Sequence, residues 1–405
     1  ASYLVGCQRT GEAIIIDPVR DLTKYMEVAD SEGFTITQAA ETHIHADFAS
    51  GIRDVAEQLN ANVYVSGEGD DELSYRNMPE QTHFVKHQDI IHVGNIKLEV
   101  LHTPGHTPES ISFLLTDEGG GSSVPMGLFS GDFVFVGDIG RPDLLEKSVQ
   151  MEGSTEVSAK QMYQSIESVK DLPDYIQIWP GHGAGSPCGK ALGAVPMSTL
   201  GYEKINNWAF NVTDESKFVE TLTSNQPAPP HHFAQMKKIN QFGMNMYQPY
   251  DVFPSLDNAR IAFDLRSKEA FHGGHTEGTI NIPYNQNFIN QIGWYLDYEN
   301  SIDLIGDKST VEQAAHTLQL IGFDNVAGYR LPKSEILTQS IHSVDMTGKE
   351  EYILDVRNEE EWNNGHLDQA VNIPHGKLLN ENIPFNKEDK IYVHSQSGVR
   401  SSIAV

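Results

Sequence analysis

Glu41-Thr42-His43-Ile44-His45-Ala46-Asp47-Phe48 is the stretch around which the rest of this chain is organised. Alternate residues of an extended segment project to one side, so His43, His45 and Asp47 can converge on one point, a candidate metal site. With 17 histidines in the chain a chance pair is no surprise, and the triplet alone decides nothing. Three further loops decide it. Thr103-Pro104-Gly105-His106-Thr107 follows the β-like run Leu98 to Leu101, Ser130-Gly131-Asp132 follows Leu128-Phe129, and Pro180-Gly181-His182-Gly183 follows Ile176 to Trp179. Four strand-end loops that each offer His or Asp point to a shared cluster.

Working outward, Tyr3 to Val5, Ala13 to Ile16, Ile36 to Ala40, Val63 to Ser66, Ile90 to Val93, Ile96 to Leu101 and Ile111 to Leu115 read as strands, with a hairpin at Gly94-Asn95. Leu22 to Glu32 has helical spacing and stops at Gly33, and Gly51 to Asn60 places Ile52, Val55, Ala56 and Leu59 on one helical face. The pattern predicts an α/β fold of two sheets packed inside helices, with the ligand loops along one edge. Leu192 to Trp208 reads as a closing helix, and Asn225 to His232 as a Pro-rich linker.

Beyond the linker the chain repeats itself. Phe263-Asp264-Leu265-Arg266, Gly274-His275 and Asn281-Ile282-Pro283 recur 91 residues on as Leu354-Asp355-Val356-Arg357, Gly365-His366 and Asn372-Ile373-Pro374. The expected domains are 1–235, 245–335 and 336–405. The chain opens inside a strand and stops soon after a loop at 395–401, so the last module is expected to be incomplete.

Composition excludes several classes. The 405 residues carry 28 Lys+Arg against 56 Asp+Glu, a net charge of -28 that repels nucleic-acid backbones. No apolar run approaches the ~18 residues of a membrane helix. Two cysteines, Cys7 and Cys188, make no disulfide framework, and a reducing, cytoplasmic setting is expected.

Thr42 to Asp47, Pro104-Gly105-His106, Gly131-Asp132 and Pro180-Gly181-His182 together resemble the metallo-β-lactamase superfamily over roughly the first 230 residues. The repeated Asp-x-Arg, Gly-His and Asn-Ile-Pro pattern resembles the rhodanese family. With Gly137 to Asp143 and Gly181 to Gly189, the combination is similar to bacterial persulfide dioxygenase–rhodanese fusions. That resemblance implies an αββα metallo-β-lactamase sandwich followed by two rhodanese-like α/β domains. It implies His43, His106 and Asp132 as ligands of one Fe(II) per chain, because Phe48 stands where dinuclear relatives hold a second metal with histidine. Two histidines and a carboxylate with open positions suit non-haem Fe(II) oxygenases. His45 either ligates the same ion or stands behind the ligands, the second being preferred. Asp47 and His182 are expected to orient ligands or face substrate. Arg141 and Asp143 form either a plain salt-bridged loop or part of the site lining, and Cys188 is either a buried small hydrophobe or a thiol beside the substrate.

In rhodaneses a cysteine, with an arginine five residues later, encloses backbone N–H groups that cradle a persulfide anion. The matching loop here is Ser395-Gln396-Ser397-Gly398-Val399-Arg400, with Ser395 in the cysteine's place. A serine hydroxyl cannot carry sulfane sulfur, so the module is either naturally silent or carries a replaced nucleophile, and the intact loop favours replacement. In the first copy Gly306 and Val311 stand at the two positions, and that copy reads as a spacer. The resemblance implies oxidation of a low-molecular-weight thiol persulfide with O2 to sulfite, coupled with Cys at 395 to sulfane transfer that makes thiosulfate. Sulfide detoxification is the implied role, and a homo-oligomer is compatible with the sequence. The alternative is a glyoxalase II-like zinc thioester hydrolase with a C-terminal rhodanese-like docking module.

Overall fold

The computed structural model describes residues 1–405 apart from 70–72, 145–152, 191, 225, 227, 256–259, 333–339, 346, 348–349 and 387. Chain contacts divide into two units, residues 1–229 with 233–247 and residues 230–232 with 248–405.

The first unit runs β1 (Tyr3–Gly6), β2 (Glu12–Ile16), α1 (Thr23–Glu32), β3 (Thr35–Ala40), α2 (Ile52–Leu59), β4 (Asn62–Ser66), β5 (Thr82–Val85), β6 (Ile90–Val93), β7 (Ile96–His102), β8 (Ile111–Asp117) and β9 (Gly127–Gly131). It continues with α3 (Ser154–Val169), β10 (Gln177–Pro180), β11 (Ser198–Thr199), α4 (Leu200–Asn206), α5 (Trp208–Asn211), α6 (Glu215–Thr223) and α7 (His232–Phe242). One sheet has the order β1-β2-β3-β4-β5, the other β11-β10-β9-β8-β7-β6.

The period of two along each strand explains the layers. Ile14, Ile16 and Ala40 of the first sheet meet Leu98, Val100, Phe113 and Phe129 of the second in an inner core. The alternate residues Ile15, Ala39 and Val63 face outward against Ile52, Val55 and Ala56 of α2. On the far side Leu114, Leu128 and Ile178 pack against Met162 and Ile166 of α3 and Phe218 of α6. Helix, sheet, sheet, helix is the expected sandwich.

One expectation needs correction. The helix expected over Leu192 to Trp208 is confined to α4, because Asn207 is extended (φ -81, ψ 124) and its side chain caps α5 by accepting from Ala209 N. Helix α7 spans residue 235, and its residues from Phe233 onward belong to the first unit. Residues 248–405 belong to the second unit.

The second unit contains β12 (Ala262–Asp264), α8 (Lys268–His272), β13 (Thr279–Asn281), α9 (Phe288–Ile292), β14 (Ile302–Ile305), α10 (Lys308–Leu320) and β15 (Val326–Arg330). Then come β16 (Ile353–Asp355), α11 (Glu359–Asn363), β17 (Ala370–Asn372), β18 (Tyr392–His394) and α12 (Val399–Ala404). Two parallel sheets result, β13-β12-β14-β15 and β17-β16-β18. The sequence repeat is a repeat of hydrogen bonds. Arg266 Nη2 donates to Asp264 Oδ2 (2.6 Å) and Gly274 O (3.0 Å), as Arg357 Nη2 does to Asp355 Oδ2 (2.6 Å) and Gly365 O (2.9 Å). Asn281 and Asn372 each tie the strand's aspartate and arginine carbonyls at 2.9–3.0 Å.

Candidate metal centre

His43 follows β3, His106 follows β7, Asp132 follows β9 and His182 follows β10, so the ligand loops gather at one edge of the two sheets. His43, His106 and Asp132 are buried, and one potential ligand atom from each lies within 4.8 Å of the others. His106 Nε2 stands 3.4 Å and His43 Nε2 3.9 Å from Asp132 Oδ2. Hydrogen bonds fix both tautomers. His106 Nδ1 faces the Arg141 carbonyl at 2.9 Å, which can only accept, so Nδ1 carries the proton. The Thr42 hydroxyl donates to Asp17 Oδ2 (3.0 Å) and so accepts from His43 Nδ1 (2.9 Å). In each ring the lone pair is left on Nε2, directed at the cluster. Burial holds the His106 imidazole neutral by lowering its pKa to about 4, and holds that of His43 well below the usual histidine value. Burial alone would raise the Asp132 carboxyl, but His182 beside it holds it well below the usual range.

The donors fit a cation by their own bookkeeping. Among the described residues, His106 Nε2 and Asp132 Oδ2 are buried without a hydrogen-bond partner, which costs roughly 1–3 kcal/mol per group unless a ligand satisfies them. Close packing leaves no slack here: a Cβ at Gly181 would stand 2.4 Å from Asp132 Oδ1.

His45 lies outside that group. Its Nε2 is 3.2 Å from Asp17 Oδ1 and its Nδ1 4.0 Å from Asp47 Oδ1, and its ring packs on those of His43 (4.2 Å) and Phe48 (4.3 Å). Burial would lower its pKa, but Asp17, with Glu41 and Asp47, raises it above the usual histidine value. Asp47, His182 and Cys188 form a second set of donors within 4.8 Å of one another. His182 Nε2 lies 3.4 Å from Asp47 Oδ2 and 3.4 Å from Asp132 Oδ1, which joins the two groups through Asp132. Burial pushes the Cys188 thiol up to about 11.

Arg141 and Asp143 make a buried bidentate pair at 2.6 Å for both bonds. Arg141 Nη1 donates to Pro187 O (3.1 Å), its N–H to Cys188 O (3.0 Å), and its carbonyl holds His106. The ion pair thus positions His106 and the Cys188 segment together.

In the second unit Ser395 is half-buried, and its Oγ accepts from Ser401 N at 3.2 Å. Gly398 takes φ +79, a left-handed conformation that lets the chain turn into α12. Gln396 and Ser397 are exposed on the loop, Val399 is exposed at the start of α12, and Arg400 forks onto Glu361 at 2.6 and 2.7 Å. In the first copy Val311 is fully buried in α10, whose N-terminus Asp307 caps.

Comparison with known proteins agrees with this layout. The profile of the metallo-beta-lactamase superfamily matches residues 1–182 and that of the rhodanese-like domain residues 338–405. A crystal structure of a metallo-beta-lactamase from Staphylococcus aureus subsp. aureus COL is 72% identical, covering 82% of this chain and 95% of that one, with a TM-score of 0.79. The chain belongs to the metallo-β-lactamase superfamily. It carries a rhodanese-like domain as well. Hydroxyacylglutathione hydrolase of Dictyostelium discoideum is 29% identical over 247 residues, 60% of this chain and 81% of that protein. The crystal structure of ETHE1 from Myxococcus xanthus is 27% identical with a TM-score of 0.47, covering 59% of this chain and 92% of that one.

For a member of this superfamily, the residues that sequence reading missed are the supports. Asp17 holds Thr42 through both oxygens, at 2.7 Å to its N–H and 3.0 Å to its hydroxyl. Glu109 Oε1 accepts from Ile44 N and Thr107 Oγ1, each at 2.9 Å. Asn240, on α7, donates to His45 O (2.9 Å) and Phe48 O (2.7 Å) and accepts from Ser50 N (2.8 Å). Lys237 lies one turn before it, 3% exposed. Asp17-Pro18 at a strand end was a readable signal; nothing in the sequence around Lys237 and Asn240 marked them.

Proposed function

We propose that the first unit is a non-haem Fe(II) persulfide dioxygenase that converts a low-molecular-weight thiol persulfide, O2 and water to the thiol, sulfite and two protons. The observation that carries this reading is the convergence of two neutral imidazoles and one carboxylate on one point, with Phe48 packed on His45 where a further ligand would be needed for a second ion. His43, His106 and Asp132 would hold the iron, which supplies oxygen activation when bound. The chain's own residues do the rest. Thr42 and the Arg141 carbonyl keep the imidazoles in the ligating tautomer. His182 keeps Asp132 ionised. The raised pKa of Cys188 keeps a neutral thiol beside the centre at pH 7. In the rhodanese-like domain, Ser401 N–H is aimed at the residue-395 side chain, the atom that would carry sulfane sulfur if it were a cysteine thiol.

Anaerobic metal analysis followed by O2 uptake on adding a thiol persulfide tests the reading. One iron per chain with persulfide-dependent uptake is the expected result, and two zinc ions with no uptake would overturn it. A zinc thioester hydrolase is the second reading. It is favoured by the donor set Asp47, His182 and Cys188 beside Asp132 and by the similarity to hydroxyacylglutathione hydrolase; hydrolysis of an acyl-glutathione at a rate unaffected by exchanging iron for zinc would support it.

A further inference from the structure

One face of α7 is buried along its length: Phe233, Met236, Lys237 and Asn240 recur at helical spacing. Phe233 packs with Ala46, Phe135, Leu144 and Cys188. Asn240 is bonded to the backbone of the loop that carries His43. Lys237 sits between these two anchor points on the same face. Burial lowers its pKa while the carboxylates Glu109, Asp132 and Asp47 raise it, and its charge is felt at His43 and His106, which are groups that frame the metal centre. Yet its Nζ, with three N–H donors, has no hydrogen-bond partner among the described residues.

A lysine placed only to offset buried carboxylates would pair with one, since burying an ammonium without a partner is costly. Glu109, the carboxylate that acts on it most, has its Oε1 committed to Ile44 N and Thr107 Oγ1, and although its buried Oε2 has no hydrogen-bond partner among the described residues, Lys237 makes no hydrogen bond to it. Donors left unmatched inside a site imply an acceptor that arrives from outside. We propose that Lys237 is the anion anchor of this site, its ammonium binding the charged terminal sulfur of the persulfide substrate and the oxygens of the sulfite product. The identity of the anion rests on the dioxygenase reading; the presence of an anion anchor does not.

The test uses the full-length protein loaded with Co(II), whose visible absorption reports anions entering that centre and no other. Sulfite is titrated into wild type, Lys237→Met, Lys237→Gln and Lys237→Arg, with metal content and melting measured for each. Loss of a hydrogen bond to a charged group predicts an apparent Kd for sulfite raised about tenfold to a hundredfold in the Met and Gln variants, with metal retained and the Arg variant close to wild type. In the iron-loaded enzyme the KM for persulfide rises while kcat changes less. Unaltered sulfite affinity in Met and Gln variants that hold metal overturns the proposal. So does loss of metal or folding in both, because the ammonium would then serve the structure. If wild type takes up no O2 with persulfide, the dioxygenase reading fails while the sulfite titration still judges Lys237.

Discussion

Gly181→Ala is a one-methyl perturbation whose effect on the metal centre can be worked out from the structure. The new Cβ would stand 2.4 Å from Asp132 Oδ1 and 3.1 and 3.2 Å from the Gly131 carbonyl carbon and oxygen. Relaxed contacts lie near ~3.5 Å, so the carboxylate must retreat by on the order of 1 Å. Asp132 is fully enclosed, and Oδ2 already sits 3.4 Å from His106 Nε2, so the displacement cannot be taken up by a swing into solvent. Metal–ligand distances tolerate only about 0.2 Å. Disturbing a mere partner of a ligand costs roughly 10–100-fold in metal affinity, so shifting the ligand itself predicts a loss at or beyond ~100-fold. Gly183→Ala is the matched control, since a Cβ there meets nothing within 4 Å in the same loop. Competition against a chelating dye gives the affinities, and circular dichroism checks that both variants fold. If Gly181→Ala binds metal as tightly as Gly183→Ala, Asp132 is not a ligand and the reasoning fails.

Other consequences follow from the same geometry. Asn240→Leu removes three bonds to buried backbone groups of the ligand loop, at a cost of about 3 kcal/mol or more. Hydrogen exchange at the Ser50 amide should accelerate at least as much as the global stability loss implies, and unchanged exchange would show that water replaces the side chain. His375 is pushed down to about 4, chiefly by burial and then by Arg400. Its folded pKa is below the unfolded ~6.5, so its stabilising contribution is complete above ~6.5 and is lost as pH falls toward 4, reaching about 3 kcal/mol. Urea unfolding followed by the fluorescence of Trp294, whose ring lies 5.4 Å from that of His375, should lose stability across this window, and His375→Gln should flatten the loss. Ser395→Cys should create cyanide-dependent sulfurtransfer from thiosulfate where the serine form has none; equal rates in the two forms would remove the loop from the chemistry.

The layered fold was legible because burial on both faces leaves a trace in single strands. Ile14, Ile15 and Ile16 are all fully buried, and only a sheet covered on both sides permits that. The rhodanese-like repeat was legible for a different reason: Asp264, Arg266 and Asn281 bond chiefly to one another and to nearby backbone, so the motif keeps its spacing when copied. Strand β5 was not legible. It is a four-residue edge with His83 and Phe84 exposed, and its pairing with β4 is set by position rather than by any alternation of its own. Helix α7 was hidden behind prolines, which suggested a linker although they end before the helix begins.

The site divides along the same line. Each candidate ligand follows a strand in a short polar loop, and a local pattern can report that. Lys237 and Asn240 approach the ligand loop from a helix about 190 residues away, so their function exists only once the chain has folded. This distinction bears on why Phe48 matters. Its backbone carbonyl is bonded to Asn240, and its ring covers His45, whose Nε2 lies 3.2 Å from Asp17 Oδ1. A histidine at 48 would therefore have to disturb this packed pair before it could reach Asp132. Asp132 Oδ1 meanwhile lies 3.4 Å from His182 Nε2. On the single-iron proposal, Asp17, His45, Phe48, His182 and Asn240 together shape the surroundings of Asp132, and exchanging residue 48 alone is not expected to create a second metal site.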